Sequence, residues 1–578
     1  LKTNSFLIKT NVKKDENDEN DENDENENKF FFDKDVIFLC KKCNHNYIIK
    51  ETDGESGFNL FFGERKDGEN IDFQQPTNGS SVTYNKLKEQ IEITSDLTGA
   101  EILFYREHNN QIWISNRLEN ITTNEDEPDI NSIQCYLSFG YTPKSDTFFK
   151  KIFQTMPNQT IVIHVGTNKI SFKPTPTYSD FCSDPYKDDK SKEFASQFSH
   201  IITRYKPMVL MMSAGWDSRT LLSPPKNPIE SAYTHGDLSS RECSIARKIT
   251  GSVRKDHSFK DVSNMKIDCV LLDEMLELHG HCLWPIWHLS SKIVAKEKGL
   301  PITSGVIGEW LGGHIGFLSF GNRRDKILHS LHLIFPKLIT ESKIKKKIEA
   351  YLKVPENFWF TSDLGNCIFS QSREKTNTNI KNVFCEYLSS IKNFSLAVEF
   401  FKYDHGGRQY MMKQPTMAKS NCGYYSPLSH PTLLKMVYRM PFNSRVHNIQ
   451  TRNVIKHLNP SLLEFPMAAT LIDAKYPIFV QESSRVARII LTQVLFRLGK
   501  KQARLGWFNY DHLYSSNIFS EIIDSLVCNM WSNEKMKKRI SENVENNIDA
   551  GSTLDMICKI KTIDYYLKIT GNEKMGDE

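Results

Sequence analysis

Three stretches of the chain share one pattern: "PMVLMMSAGWDSRTLLS" (Pro207–Ser223), "SAYTHGDLSSRECSIARKITG" (Ser231–Gly251) and "LPITSGVIGEWLGGHIG" (Leu300–Gly316). Each reads as a short apolar strand, then a loop of small residues, then the start of a helix. Strands that alternate with helices in this way are joined by crossovers rather than hairpins, so the region from about Ser191 to Gly313 is expected to form a parallel α/β sheet. Ligands of open sheets of this kind bind beyond the C-terminal ends of the strands. The loops around Ser213, His235 and Ser304 are therefore where a site is expected.

The flanking regions follow different rules. From about Phe30 to Tyr178, the runs "FNLFFGE", "EQIEITSD", "EILFYRE", "QIWISN", "QTIVIHV" and "KISFKP" alternate apolar and polar residues and are rich in β-branched and aromatic side chains, which predicts a mostly β region of one or two sheets. Beyond Asp325 the pattern is dominated by amphipathic helices, such as "KMVYRM", "EIIDSLVCNMW" and "TIDYYLKI". The Asp/Glu/Asn tract at 15–28 is too polar to bury itself and reads as a solvated loop inserted in the β region. With 578 residues the chain is long enough for two sizeable cores. No run approaches the ~18 apolar residues of a membrane helix, and the N-terminus lacks a secretory apolar core. The 12 cysteines show no framework spacing. The expected setting is the cytoplasm, with no membrane partner. Basic runs such as Lys343 to Lys353 lack interleaved aromatics and read as wet helix faces, so no nucleic-acid partner is expected.

The chemistry concentrates at the first loop. Ser213, Ala214 and Gly215 let the backbone turn tightly and present N–H groups, and Trp216, Asp217 and Ser218 open the following helix, an arrangement suited to an anion. A lysine after the glycine is missing, so this is not the GxxxxGK[ST] phosphate loop. In the third stretch Glu309 is the one carboxylate of a glycine-rich turn. Opposite a phosphate loop, it and Asp217 would suit a shared Mg²⁺.

The loop resembles the SGGxDS loop of the PP-loop ATP pyrophosphatases, with Ala214 in place of one glycine. Its succession by "GD…RE…A", "SG…GExLGG", "YYSPLSHPTLLKMVYRMPFNSR" and "IQTRNVIKHLNPSLLEFPMA" is similar to the synthetase domain of the asparagine synthetase family. The β region around "SDLTGAEILFYREHNNQIWISNRLENI" is similar to the later half of that family's Ntn-type glutaminase domain. The resemblance implies a glutaminase-like β-rich domain over 1–190 and an ATP pyrophosphatase domain over 191–578. It implies ATP and Mg²⁺, with Ser213, Ala214, Gly215, Trp216, Asp217, Ser218, His235, Gly236, Ser304 and Gly305 around the nucleotide, Asp217 and Glu309 on the metal, and either Arg452 or Lys456 on the phosphates. The implied reaction is adenylation of a carboxylate, aspartate among the candidates, followed by attack of ammonia or an amine. A homodimer and a separate glutaminase partner are compatible with it.

Two departures qualify the implied activity. The family's glutaminase needs an N-terminal cysteine whose α-amine serves as base. This chain is written Leu1-Lys2-Thr3, so no glutaminase nucleophile is expected, and Asn78-Gly79 reads as a turn rather than the family's oxyanion element. True asparagine synthetases carry a glutamate three residues before the metal carboxylate, where this chain has Val306, so the product need not be asparagine. The alternative expectation is a nucleotide-binding scaffold of the same fold. Cys40 and Cys43 form a lone CxxC without the second pair that zinc requires, and the histidines of "HGHCLWPIWH" read as a wall of the acceptor pocket rather than metal ligands.

Overall fold

The computed structural model describes residues 5–10, 27–33, 36–41, 47–52, 57–64, 72, 78–261, 266–321, 323–497, 513–514, 516–546, 548 and 550–574. Among these residues twelve strands precede Pro174: β1 Ser5–Thr10, β2 Glu27–Asp33, β3 Val36–Lys41, β4 Tyr47–Thr52, β5 Gly57–Gly63, β6 Gly79–Asn85, β7 Gln90–Ser95, β8 Phe104–His108, β9 Gln111–Ser115, β10 Phe153–Gln154, β11 Thr160–His164 and β12 Lys169–Lys173. They form two antiparallel six-stranded sheets, ordered β10-β8-β9-β1-β3-β2 and β12-β11-β7-β6-β5-β4. Alternation is what pairs them. Ile91 and Ile93 of β7 are fully buried while Gln90 and Glu92 are half-exposed, and the inward residues meet Phe6, Ile8 and Ile114 of the other sheet in one core.

Glu27 and Asn28, the last two residues of the predicted insert, already belong to β2, where hydrogen bonding to β3 overrides their polarity. The rest of the tract lies outside the described residues, as does Cys43 of the CxxC.

The parallel sheet forms as the alternation predicts. Its strands are β13 Met208–Met211, β14 Ile229–Gly236, β15 Asp256–Asp261, β16 Ile302–Thr303 and β17 Tyr424–Tyr425, in the order β15-β14-β13-β16-β17, and every neighbouring pair runs parallel. Both faces are covered, so β13 is apolar throughout: Met208 and Leu210 point into one helical layer and Val209 and Met211 into the other. Two strands escaped the sequence pattern. β15, "DHSFKD", is too polar to read as a buried strand, and β17 is a two-residue strand inside a stretch whose composition is helical.

Helices Ser191–Ile202, Trp216–Leu222 and Arg241–Ser252 contribute to one layer, and Cys269–His279 and Pro285–Lys298 to the other. Helices dominate from Arg323 to Ile569. The last of them, Ala550–Ile569, reaches the β sandwich through Tyr566, which packs with Leu7, Leu118 and Ile121. The proposed boundary at 190/191 falls between the short helix Tyr178–Cys182 and the helix Ser191–Ile202. Among the described residues no helix is long and apolar enough to cross a membrane.

Candidate active site

The strand order reverses between β13 and β16, because the chain moves outward to β14 and β15 on one side and returns to β16 and β17 on the other. At such a switch point the connections leave in opposite directions and open a crevice above the strand ends. The two segments that border it are 212–217, after β13, and 304–309, after β16. They carry Asp217 and Glu309.

The approach of these segments depends on two glycines. A Cβ on Gly305 would lie 2.5 Å from Asp217 Cβ and 2.8 Å from Ser218 N, and one on Gly308 would lie 2.5 Å from Asp217 Oδ1. Ile307, between them, has φ 82°, a left-handed conformation that a β-branched residue adopts only under strain. Gly305→Ala is expected to push Asp217 off this contact, which should cost about 1–3 kcal/mol of stability and weaken any Mg·ATP binding at these loops by about tenfold or more. Calorimetric titration with Mg·ATP checks it, and an unchanged affinity would refute the role given to this contact.

The electrostatics of the pair are unusual. Asp217 and Glu309 are each half-buried, yet Asp217 Oδ1 and Glu309 Oε2 are inaccessible and have no hydrogen-bond partner. Burial, reinforced by the charge of Glu309, pushes Asp217 well above the usual carboxylate range, and burial raises Glu309 as well. Asn448 Oδ1, a third buried acceptor without a partner, lies against Gly312 on the short helix that bears Glu309. Orphaned buried acceptors are costly, and a concentration of them calls for a cation. Among the described residues no group of three His, Cys, Asp or Glu forms a ready metal cage. A cation held by Asp217 and Glu309 would complete its shell with ligand oxygens and water, as Mg²⁺ commonly does.

The loop itself differs from the expectation that its amides point outward. The N–H of Ser213 donates to Ser218 Oγ (3.3 Å), that of Ala214 to Glu242 Oε1 (2.9 Å) and that of Gly215 to Ser213 Oγ (3.0 Å). The reason is local: the hydroxyls of Ser213 and Ser218 and the carboxylate of Glu242 are closer than solvent to these donors. The helix that follows, Trp216–Leu222, has seven residues, so its dipole is a small contributor. The favourable charge for an anion would come from a cation between the carboxylates.

Ser304 and Gly305 border the crevice, and Ser304 Oγ is 2.7 Å from Tyr424 OH on β17. Arg452 and Lys456 share one face of helix Ile449–Leu458, which packs against both short helices that carry the carboxylates. Arg452 is half-buried and Lys456 exposed. His235 and Gly236 end β14, but the imidazole of His235 turns to the opposite face of the sheet. There its Nδ1 lies 2.8 Å from Ser290 Oγ and its ring packs edge-on to Trp287. Burial lowers its pKa to about 3, so it stays neutral. Only the backbone of this segment can reach a ligand at the crevice. Val306 is buried in the core.

Four residues that hold the site were not singled out from the sequence. Arg219 is fully buried and donates to the carbonyls of Ala214 (3.0 Å), Leu462 (3.2 Å), Phe465 (2.8 Å) and Pro466 (2.5 Å), tying the loop to the segment that follows helix Ile449–Leu458. Arg445 and Glu399 form a fully buried two-pronged ion pair, and Arg445 also donates to the carbonyl of Trp310, next to Glu309. Glu242 holds the loop amide. The available signal was an arginine within an apolar helix, "DSRTLL", where a charge must find acceptors. Asn78 has a turn-type φ of 52° and is buried, its side-chain oxygen accepting from Ser429 Oγ at 2.9 Å.

A cavity of about 190 Å³ lies elsewhere: neither Asp217 nor Glu309 lines it. The histidines of "HGHCLWPIWH" contribute to its wall through His279 and His281. Neither a family profile nor a curated protein matches this chain in sequence searches.

Proposed function

We propose that the chain is an ATP-dependent ligase that forms AMP and pyrophosphate while joining a carboxylate to ammonia or an amine. The observation that supports this reading is the pair Asp217 and Glu309, two half-buried carboxylates, each with one buried oxygen that has no hydrogen-bond partner, on the segments that follow two neighbouring strands at the switch point of a parallel sheet. Mg²⁺ fits there because the acceptors are hard oxygens, lack donors and sit where glycines admit close approach. When bound, it would spread the negative charge that develops as pyrophosphate departs.

The residues of the chain would do the positioning. Ser213, Gly215 and Ser218 would border the β- and γ-phosphates, and Arg452 or Lys456 would neutralise them from the neighbouring helix. An oxygen of the acceptor carboxylate attacks the α-phosphorus as the bond to the β-phosphate oxygen breaks, and pyrophosphate leaves with the electron pair. The nitrogen then attacks the acyl carbon, AMP leaves, and the nitrogen's surplus proton passes to solvent. Holding these groups in line is the main contribution asked of the fold.

A second reading, a nucleotide-binding scaffold without turnover, is favoured by one observation: Glu242 occupies the Ala214 amide that a phosphate would use. One experiment separates the two. Pyrophosphate release from Mg·ATP is measured with aspartate, glutamine and ammonium added singly and together, then with a panel of other carboxylates. Release that depends on a carboxylate is expected, and ATP binding with no release on any acceptor would establish the scaffold instead.

A further inference from the structure

The cavity of about 190 Å³ lies where the β sandwich meets the helical layers, with walls from β8, the segment 116–119, the loop after helix Cys269–His279 and the helix Lys413–Lys419. Six acidic or basic side chains line it, apart from histidines. Four are spoken for. Lys419 pairs with Glu101, and Arg117 pairs with Glu119 at 2.6 Å and donates to the carbonyls of Leu276 and Glu277. Two have no hydrogen-bond or ion-pair partner among the described residues: Lys413 and Asp146.

These two are not partners of each other. The charges that act on Lys413 are Arg408, Arg117 and Glu119, and those that act on Asp146 are Asp129 and Lys144. They do not form an ion pair, and Phe104, Leu118, Phe148 and Tyr566 supply apolar wall to the same cavity. Beside Lys413 is His281, which is 5% exposed and has a ring nitrogen, Nδ1, buried without a partner. Unpaired charge in a half-buried setting is unfavourable unless a ligand completes it. Burial and the two nearby guanidiniums push Lys413 down to about 8, which still leaves it protonated at neutral pH. An apolar chamber with a few unmet polar groups is the usual form of a small-molecule site.

We infer that this cavity binds a small ω-amino carboxylic acid, with the carboxylate on Lys413 and His281, the apolar chain along the aromatic walls and the distal ammonium on Asp146. The inference concerns binding alone and stands whether or not the crevice at Asp217 holds a nucleotide.

Isothermal titration with ε-aminocaproate as the probe, without ATP, tests it. Caproate and n-hexylamine serve as controls that each lack one charge. Saturable binding of the zwitterion is expected, with both controls weaker by at least about tenfold. Lys413→Met and Asp146→Asn should each weaken it by a similar factor, while Lys413→Arg should retain it. Lys413→Met should also leave the melting temperature of the ligand-free protein unchanged or higher, since it removes an uncompensated charge. Should that variant fail to fold, Asp146→Asn reads the same question from the other end. No saturable binding of ε-aminocaproate up to about 10 mM, or unchanged binding in the two charge-removing variants, would overturn the inference.

Discussion

Asp217→Asn is expected to stabilise the ligand-free protein and at the same time to abolish the Mg²⁺-dependent chemistry proposed for it. In the free protein Asp217 Oδ1 and Glu309 Oε2 are buried without a hydrogen-bond donor, and burial together with the charge of Glu309 holds Asp217 far above the ordinary carboxylate range. An amide of the same shape removes one of the two like charges, and gains of about 1–3 kcal/mol accompany the removal of poorly compensated buried charge. The melting temperature without metal should therefore rise. On the proposed function the same substitution would delete a metal ligand, and loss of the several kcal/mol that a metal contributes to charge stabilisation would correspond to about a thousandfold or more in pyrophosphate release from ATP. Millimolar Mg²⁺ should raise the melting temperature of the wild type and leave that of the variant unmoved. Turnover at the wild-type rate in Asp217→Asn would refute the metal assignment. A lower melting temperature without metal would show that the carboxylate makes bonds that the amide cannot replace.

The second large effect is expected at Glu399. Glu399 and Arg445 are both fully buried, two-pronged, and joined to the candidate site through the bond from Arg445 to the Trp310 carbonyl. Glu399→Ala leaves a guanidinium in the core with no carboxylate, and breaking a buried pair in this way costs about 3–5 kcal/mol. Because Trp310 follows Glu309 directly, nucleotide binding should weaken along with stability. Replacing both partners, Glu399→Met with Arg445→Met, should recover much of the stability, since no charge is then stranded. Denaturant unfolding of the single and double variants checks this. A single variant within about 1 kcal/mol of the wild type would mean that the pair contributes little.

The two-faced burial of β13 was legible because a strand covered on both sides must be apolar at every position, and "MVLM" is. The same rule hid β15, whose "DHSFKD" lies at the sheet edge, and β17, whose two residues are too few for any periodicity. The loop residues from Ser213 to Ser218 were visible as a run of small side chains between a strand and a helix. Their hydrogen bonding was not, because Glu242 is 28 residues beyond Ala214 and only the folded sheet brings them together. Arg219 could be seen as a charge in an apolar helix, but its four carbonyl partners lie between Ala214 and Pro466 and are set by packing.

Sequence by itself determined the alternation of strands and helices, the positions of the small-residue loops and the two carboxylates that follow β13 and β16, since each is a local property of a few consecutive residues. Tertiary structure alone decided that β13 and β16 are neighbours with the strand order reversing between them, that Gly305 and Gly308 lie against Asp217, and that His235 turns away to the opposite face. It also decided which charges lining the cavity at Lys413 and Asp146 are paired. The physical reason is the same in each case: desolvation and pairing depend on what the fold brings within a few ångströms, and those neighbours come from parts of the chain tens to hundreds of residues apart.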